Sequence, residues 1–202
     1  MSYFVYKDPK PYIFIHIPKT AGRSIITALS TKYKTEQIVN NDTTTDNYHS
    51  TINHAKQLVD TSDYNVFTIV RNPYDRVCSY YNFRKRKIET GKIGSEEEIA
   101  ASQRGIEYWF DGYASNNWEG TWFGCYNNQV EWIDDSVQII KFENIKNIDT
   151  MPLFSGVTMP KTKYNKSDNH KIKNYKDVIS SKLRKRINHM FERDFETFKY
   201  QW

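Results

Sequence analysis

Two apolar runs in this chain stop abruptly and pass within a few residues into helical periodicity. The first, Tyr12 to Ile17, is β-branched and aromatic, and its composition predicts a buried strand. Pro18 ends it, and Ile25, Ile26, Leu29 and Tyr33 then recur at helical spacing, which predicts a helix from near Gly22. The second, Asn65 to Val70, ends at Arg71-Asn72-Pro73 and is followed by Val77, Tyr80, Tyr81 and Arg84 at the same spacing. A strand that turns tightly into a helix leaves amide groups unpaired at the positive end of the helix dipole, a ready anion site. Two such turns on one parallel sheet would open at its carboxyl edge, where open α/β sheets take their ligands.

The first turn carries more than geometry. Lys19 adds a point charge, and Thr20 and Ser24 add hydroxyls. In physical terms this is a phosphate cradle, although it departs from the G-x-x-x-x-G-K-[ST] pattern. Gly22-Arg23-Ser24 takes the last three places, the first glycine is missing and the lysine comes early. An ordinary βα turn with a surface lysine has the same local signature, so the stretch alone does not decide.

The 202 residues suit one domain with a sizeable core, and 38% hydrophobic with 15% aromatic residues is a globular composition. A net charge of +5 favours an anionic partner such as a nucleotide, a sulfated or carboxylated glycan or a nucleic acid. Cys78 and Cys125 are far apart and without metal-ligand spacing, against a disulfide scaffold or a zinc site. No run approaches a membrane span, and Met1 to Lys10 has no signal-peptide core, so the expectation is a soluble cytoplasmic protein without a membrane anchor.

Elsewhere, Ile38-Val39 suggests a short strand, and Ser50 or Thr51 a cap for a helix carrying Ile52, Ala55, Leu58 and Val59. Residues 84–105 read as an exposed, charged insertion with some helix. Glu107 to Cys125 is aromatic enough to wall a groove or to pack a core. Ser136 to Phe142 predicts a third strand. Lys161 to Arg193 is the main basic stretch; its first half reads as irregular, and from Ser180 or Ser181 one helix is predicted with Leu183, Ile187, Met190, Phe191 and Phe198 on its buried face.

Taken together the motifs resemble the carbohydrate sulfotransferases. Ile-His-Ile-Pro-Lys-Thr-Ala-Gly-Arg-Ser (15–24) is similar to their 5′-phosphosulfate loop, and Val-Arg-Asn-Pro-Tyr-Asp-Arg-Val-Cys-Ser-Tyr-Tyr (70–81) to their 3′-phosphate motif. Lys-Phe-Glu-Asn (141–144) resembles the end of the family's third strand, and the tail from Asn165-Lys166-Ser167 to Tyr200 resembles its C-terminus. The resemblance implies a P-loop NTPase-like three-layer α/β fold, a central parallel sheet flanked by helices, in one domain over 1–202 with 84–130 as an acceptor-side insertion. It implies 3′-phosphoadenosine 5′-phosphosulfate (PAPS) as donor and a hydroxyl acceptor of the glycan class, with no metal and no nucleic acid. Lys19 and the backbone of Thr20, Ala21, Gly22, Arg23 and Ser24 would hold the 5′-phosphosulfate, and Arg71 and Ser79 the 3′-phosphate. Arg23 stands where Thr or Ser is commoner.

Sulfuryl transfer also needs a general base opposite the departing phosphate. His49, in Tyr-His-Ser-Thr ahead of the second strand, matches the family's location best; His54 competes, and His16 lies within the first strand. Two other classes fit parts of the chain. A P-loop kinase requires Mg²⁺ and a full Gly-Lys-[Ser/Thr] loop. A basic nucleic-acid-binding protein using Lys161 to Arg193 explains the charge but leaves both strand-end motifs as accidents.

Overall fold

The structure, a computed structural model, describes residues 2–38, 50–92, 94–115, 125–159, 172 and 174–202. They group into two compact units. One comprises residues 1–71 and 129–164, the other residues 72–128 and 165–202.

The first unit is built on five strands: β1 (Ser2–Tyr6), β2 (Tyr12–Ile15), β3 (Lys34–Ile38), β4 (Asn65–Val70) and β5 (Gln138–Lys141). Their order across the sheet is β3-β1-β2-β4-β5. The sheet is mixed, not parallel throughout. β2, β4 and β5 run parallel, but β1 is antiparallel to both β2 and β3. The N-terminal strand is the reason. Ser2–Tyr6 gives only a short apolar alternation before Lys7-Asp8-Pro9, yet it fills the place beside β2 by doubling back on it. The predicted strand at Ile38-Val39 lies further back, at Lys34–Ile38.

β2 is buried along its whole length because it sits third of five. Phe14 stacks on Phe67 at 4.9 Å, and Phe67 meets Phe154 edge-on at 6.0 Å. Val5, Ile25, Leu29, Ile69, Ile148 and Leu153 complete that core. Helix α1 (Gly22–Ser30) contributes Ile25, Ala28 and Leu29 to the buried side, as its spacing predicts. Helix α2 (Ile52–Leu58) is capped by Thr51, whose hydroxyl accepts the His54 amide at 3.3 Å.

The parallel register sets the stage for the site. Ile15 pairs with Thr68, and Val70 with Lys141. The residues that follow these strands, His16, Arg71 and Phe142, therefore leave one edge of the sheet.

The second unit is helical: α3 (Pro73–Glu89), α4 (Glu96–Arg104), α5 (Ile106–Ala114), α6 (Ser181–Met190) and α7 (Glu192–Phe198). Its core is aromatic, with Tyr74, Tyr80, Tyr81, Trp109, Phe110, Tyr113 and Phe191 packed together. Two sequence expectations change here, and one open alternative is decided for the described residues. Residues 84–105 are not simply an exposed insertion, because Arg84 and Glu98 are almost wholly buried and paired. Arg84 Nε donates to Glu98 Oε1 at 2.8 Å, its NH2 group to Oε2, and Trp109 Nε1 adds a bond at 3.0 Å. Desolvation is offset only because every partner is supplied from α3, α4 and α5 together. The aromatics Trp109, Phe110 and Tyr113 are buried packing; Trp118, Trp122 and Phe123 lie outside the described residues. The last predicted helix is two, broken at Phe191 (φ −115°, ψ 30°), although Leu183, Ile187, Phe191 and Phe198 are buried as expected. Among the described residues no helix is long and apolar enough to cross a membrane.

Candidate functional site

The segment from His16 to Ser24 is shaped by two backbone choices that L-residues make rarely. Ile17-Pro18-Lys19-Thr20 is a turn with proline at its second position and Lys19 at φ 69° at its third, the pattern of a type II turn that normally takes glycine there. The buried Thr20 hydroxyl donates to the Ile17 carbonyl at 2.8 Å and ties the same turn. Ala21 follows in the left-handed region (φ 72°, ψ 14°). Such residues cost on the order of 1 kcal/mol each or more and persist only where the surroundings over-determine them. Two left-handed residues this close together are what a short, glycine-like turn into a helix requires.

Ala21 is the N-cap of α1, and its side chain can cap nothing. Its carbonyl accepts from Ser24 at 2.9 Å and Ile25 at 3.2 Å, so the Ser24 amide expected in the cradle is already taken. The amides of Ala21, Gly22 and Arg23 donate to no acceptor among the described residues. No acidic residue lies in the first turn. Three open donors at a helix N-terminus, beside the half-buried Lys19, are complementary to an anion.

Gly22 is required by contact. A Cβ there would lie 1.9 Å from His16 Cδ2 and 2.1 Å from its Nε2. His16 is buried, stacks on Phe14 at 5.8 Å and forms the floor on which the loop rests. Its amide donates to Ser2 Oγ at 3.2 Å, and that hydroxyl donates in turn to the Ser50 carbonyl at 2.6 Å. The entry to the loop and the residue that follows His49 in sequence are thus fastened to the same serine.

Arg71 follows β4 and is half-buried. One guanidinium nitrogen donates to the Lys19 carbonyl at 3.0 Å, and the guanidinium lies 4.4 Å from the centre of the Phe142 ring. Gln129, fully buried, grips the Arg71 main chain from both sides: its Oε1 accepts the Arg71 amide at 2.9 Å, and its Nε2 donates to the Arg71 carbonyl at 2.8 Å. The two motifs that stand apart in sequence, Lys19 and Arg71, are therefore brought into hydrogen-bond contact.

The remaining predicted residues are distributed otherwise. Arg23 is exposed; burial pushes the Tyr3 phenol up, and the charge of Arg23 pulls it partly back, which sets Arg23 near β1. Ser24 is half-buried in the first turn of α1. Ser79 belongs to the other unit, half-buried on α3. His49 lies outside the described residues. His54 is half-buried on α2, and its Nε2 is buried without a hydrogen-bond partner among the described residues. Among those residues there is no group of three or more His, Cys, Asp or Glu that could hold a metal ion.

Gln129 is the residue that sequence reasoning missed. It stands 58 positions from its partner, and a lone glutamine in a polar stretch carries no periodic or motif signal.

A family model described as "Sulfotransferase family" matches residues 2–201. No curated protein and no solved structure matches the chain.

Proposed function

The chain belongs to the sulfotransferase family and is a sulfotransferase enzyme; from that premise we propose that it moves a sulfuryl group from PAPS to a hydroxyl of a carbohydrate, on a P-loop-like fold. The observation that carries the reading is the cradle itself: three unpaired amides at the start of α1, flanked by Lys19 and joined through Lys19 to Arg71. Amide donors and Lys19 receive the 5′-phosphosulfate, and Arg71, with its planar fork of donors, receives the 3′-phosphate.

The transfer is an in-line displacement. The acceptor oxygen forms a bond to sulfur as the bond from sulfur to the bridging phosphate oxygen breaks. That oxygen keeps the electron pair and leaves on adenosine 3′,5′-bisphosphate. Lys19 and the amides lie where this charge develops, the usual place for the largest electrostatic contribution. The acceptor's proton passes to His49 as general base.

Thermal unfolding with adenosine 3′,5′-bisphosphate, 5′-AMP and ATP·Mg²⁺ tests the donor. At about 100 times its dissociation constant a ligand stabilises the fold by roughly 2.7 kcal/mol. We expect the bisphosphate to raise the midpoint most and Arg71→Ala to abolish its advantage over 5′-AMP. Stabilisation by ATP·Mg²⁺ alone would replace this reading with the kinase. Sulfate transfer from PAPS to desulfated glycan oligosaccharides, compared with phenols and simple alcohols, tests the acceptor.

A further inference from the structure

We propose that Gln129 and Phe142 are positioning residues that fix Arg71 from two sides before any ligand arrives. The proposal rests on the reading of Arg71 as the group that receives the donor's 3′-phosphate.

β4 ends at Val70, paired with Lys141, so the ladder stops one residue short of Arg71. The amide and carbonyl of Arg71 still need partners, since buried backbone groups are costly to leave unpaired. The Gln129 side chain supplies both, at 2.9 and 2.8 Å, and so continues the ladder for one residue with a primary amide in place of a strand. This fixes the main chain of Arg71. Its fully buried setting leaves the glutamine little freedom of its own.

The side chain is fixed separately. Phe142 follows Lys141, the register partner of Val70, and its ring lies under the guanidinium at 4.4 Å. The bond to the Lys19 carbonyl holds one end of the guanidinium at 3.0 Å. A long side chain ordered in advance has less freedom to lose when an anion binds. Phe142 is part of the Lys-Phe-Glu-Asn stretch, so the third motif acquires a physical role: it supports the cation of the second.

The test compares dissociation constants for adenosine 3′,5′-bisphosphate and 5′-AMP by titration calorimetry, because their ratio isolates the 3′-phosphate. Arg71→Ala should bring the ratio close to one. Gln129→Met, which keeps the shape and removes both hydrogen bonds, and Phe142→Leu should each reduce it about two- to tenfold, the scale of ordering one long side chain. Phe142→Tyr should restore it. Neither variant should change the ratio further when added to Arg71→Ala. A lowered melting temperature with an unchanged ratio in Gln129→Met would mean ordinary packing and overturn the proposal. If that variant does not fold, an unchanged ratio in Phe142→Leu overturns it alone. An unchanged ratio in Arg71→Ala itself would overturn the reading of Arg71 and the proposal with it.

Discussion

The helix after β2 and the helix after β4 start from the same kind of sequence, an apolar strand cut short beside a basic residue, yet their first turns are completed differently. At α3 the chain satisfies itself. Asn72 Oδ1 accepts the Tyr74 amide at 3.1 Å, Pro73 has no amide to satisfy, and Asp75 sets a carboxylate in the first turn. Asn72 Nδ2 also donates to the Gln201 carbonyl at 3.2 Å. At α1 nothing is completed: no side-chain cap, no acidic residue, and three amides without an acceptor among the described residues. Only one of the two turns thus leaves its backbone donors open among the described residues. The second offers a side chain, Arg71, and keeps its helix end for itself. A strand followed by a helix is a scaffold for anion binding; whether it becomes a site depends on whether the protein caps the end or leaves it to a ligand.

The largest effect should come from the charge beside the open turn. Lys19→Ala should lower kcat for sulfuryl transfer about 10²–10³-fold, with the melting temperature nearly unchanged, measured by single-turnover kinetics beside circular dichroism. Next is the contact that shapes the loop. Gly22→Ala places a Cβ on the His16 ring, an overpacking cost of about 1–3 kcal/mol, and should weaken adenosine 3′,5′-bisphosphate about tenfold or more; His16→Ala added to it should recover part of the loss. If it recovers nothing, the ring is not what excludes the methyl group.

A third change makes the open turn resemble the closed one. Ala21→Asp gives α1 its own anion in a residue type that tolerates the left-handed region. It should reduce bisphosphate affinity about tenfold while leaving stability equal or higher. The smallest effects compare the caps directly, by denaturant unfolding. Asn72→Ala should cost about 1 kcal/mol, whereas Ala21→Gly should stabilise by about 0.5–1 kcal/mol through relief at φ 72°. Equal and opposite results would leave the contrast intact; destabilisation by both would erase it.

Much of this was legible in the residues. β2, β4, the starts of α1 and α3, and the opening of both turns at one sheet edge follow from apolar runs, breakers and helical spacing, whereas the joining of Lys19 with Arg71 as one constellation is what the family resemblance implies. What sequence could not supply was long-range pairing. Ser2–Tyr6 looks unremarkable until β2 and β3 are set beside it. Arg84 and Glu98, 14 positions apart, look like solvated charges until three helices bury them. Lys19 and Ala21 gave no warning of positive φ, because propensity assigns such turns to glycine. Leu183, Ile187 and Phe191 keep a perfect spacing through a break at Phe191, where packing overrides the period.

The unpaired amides of Ala21, Gly22 and Arg23 also give the protein a clock. Backbone hydrogens held in a central strand exchange with deuterated solvent only when the structure opens, whereas hydrogens with no acceptor need not wait for that. β2 ends a few residues before the loop, so slow and fast exchange adjoin along one short peptide. An anion seated in the cradle should slow the second class and leave the first unchanged. Occupancy of the donor site then becomes visible by mass, without an acceptor and without turnover.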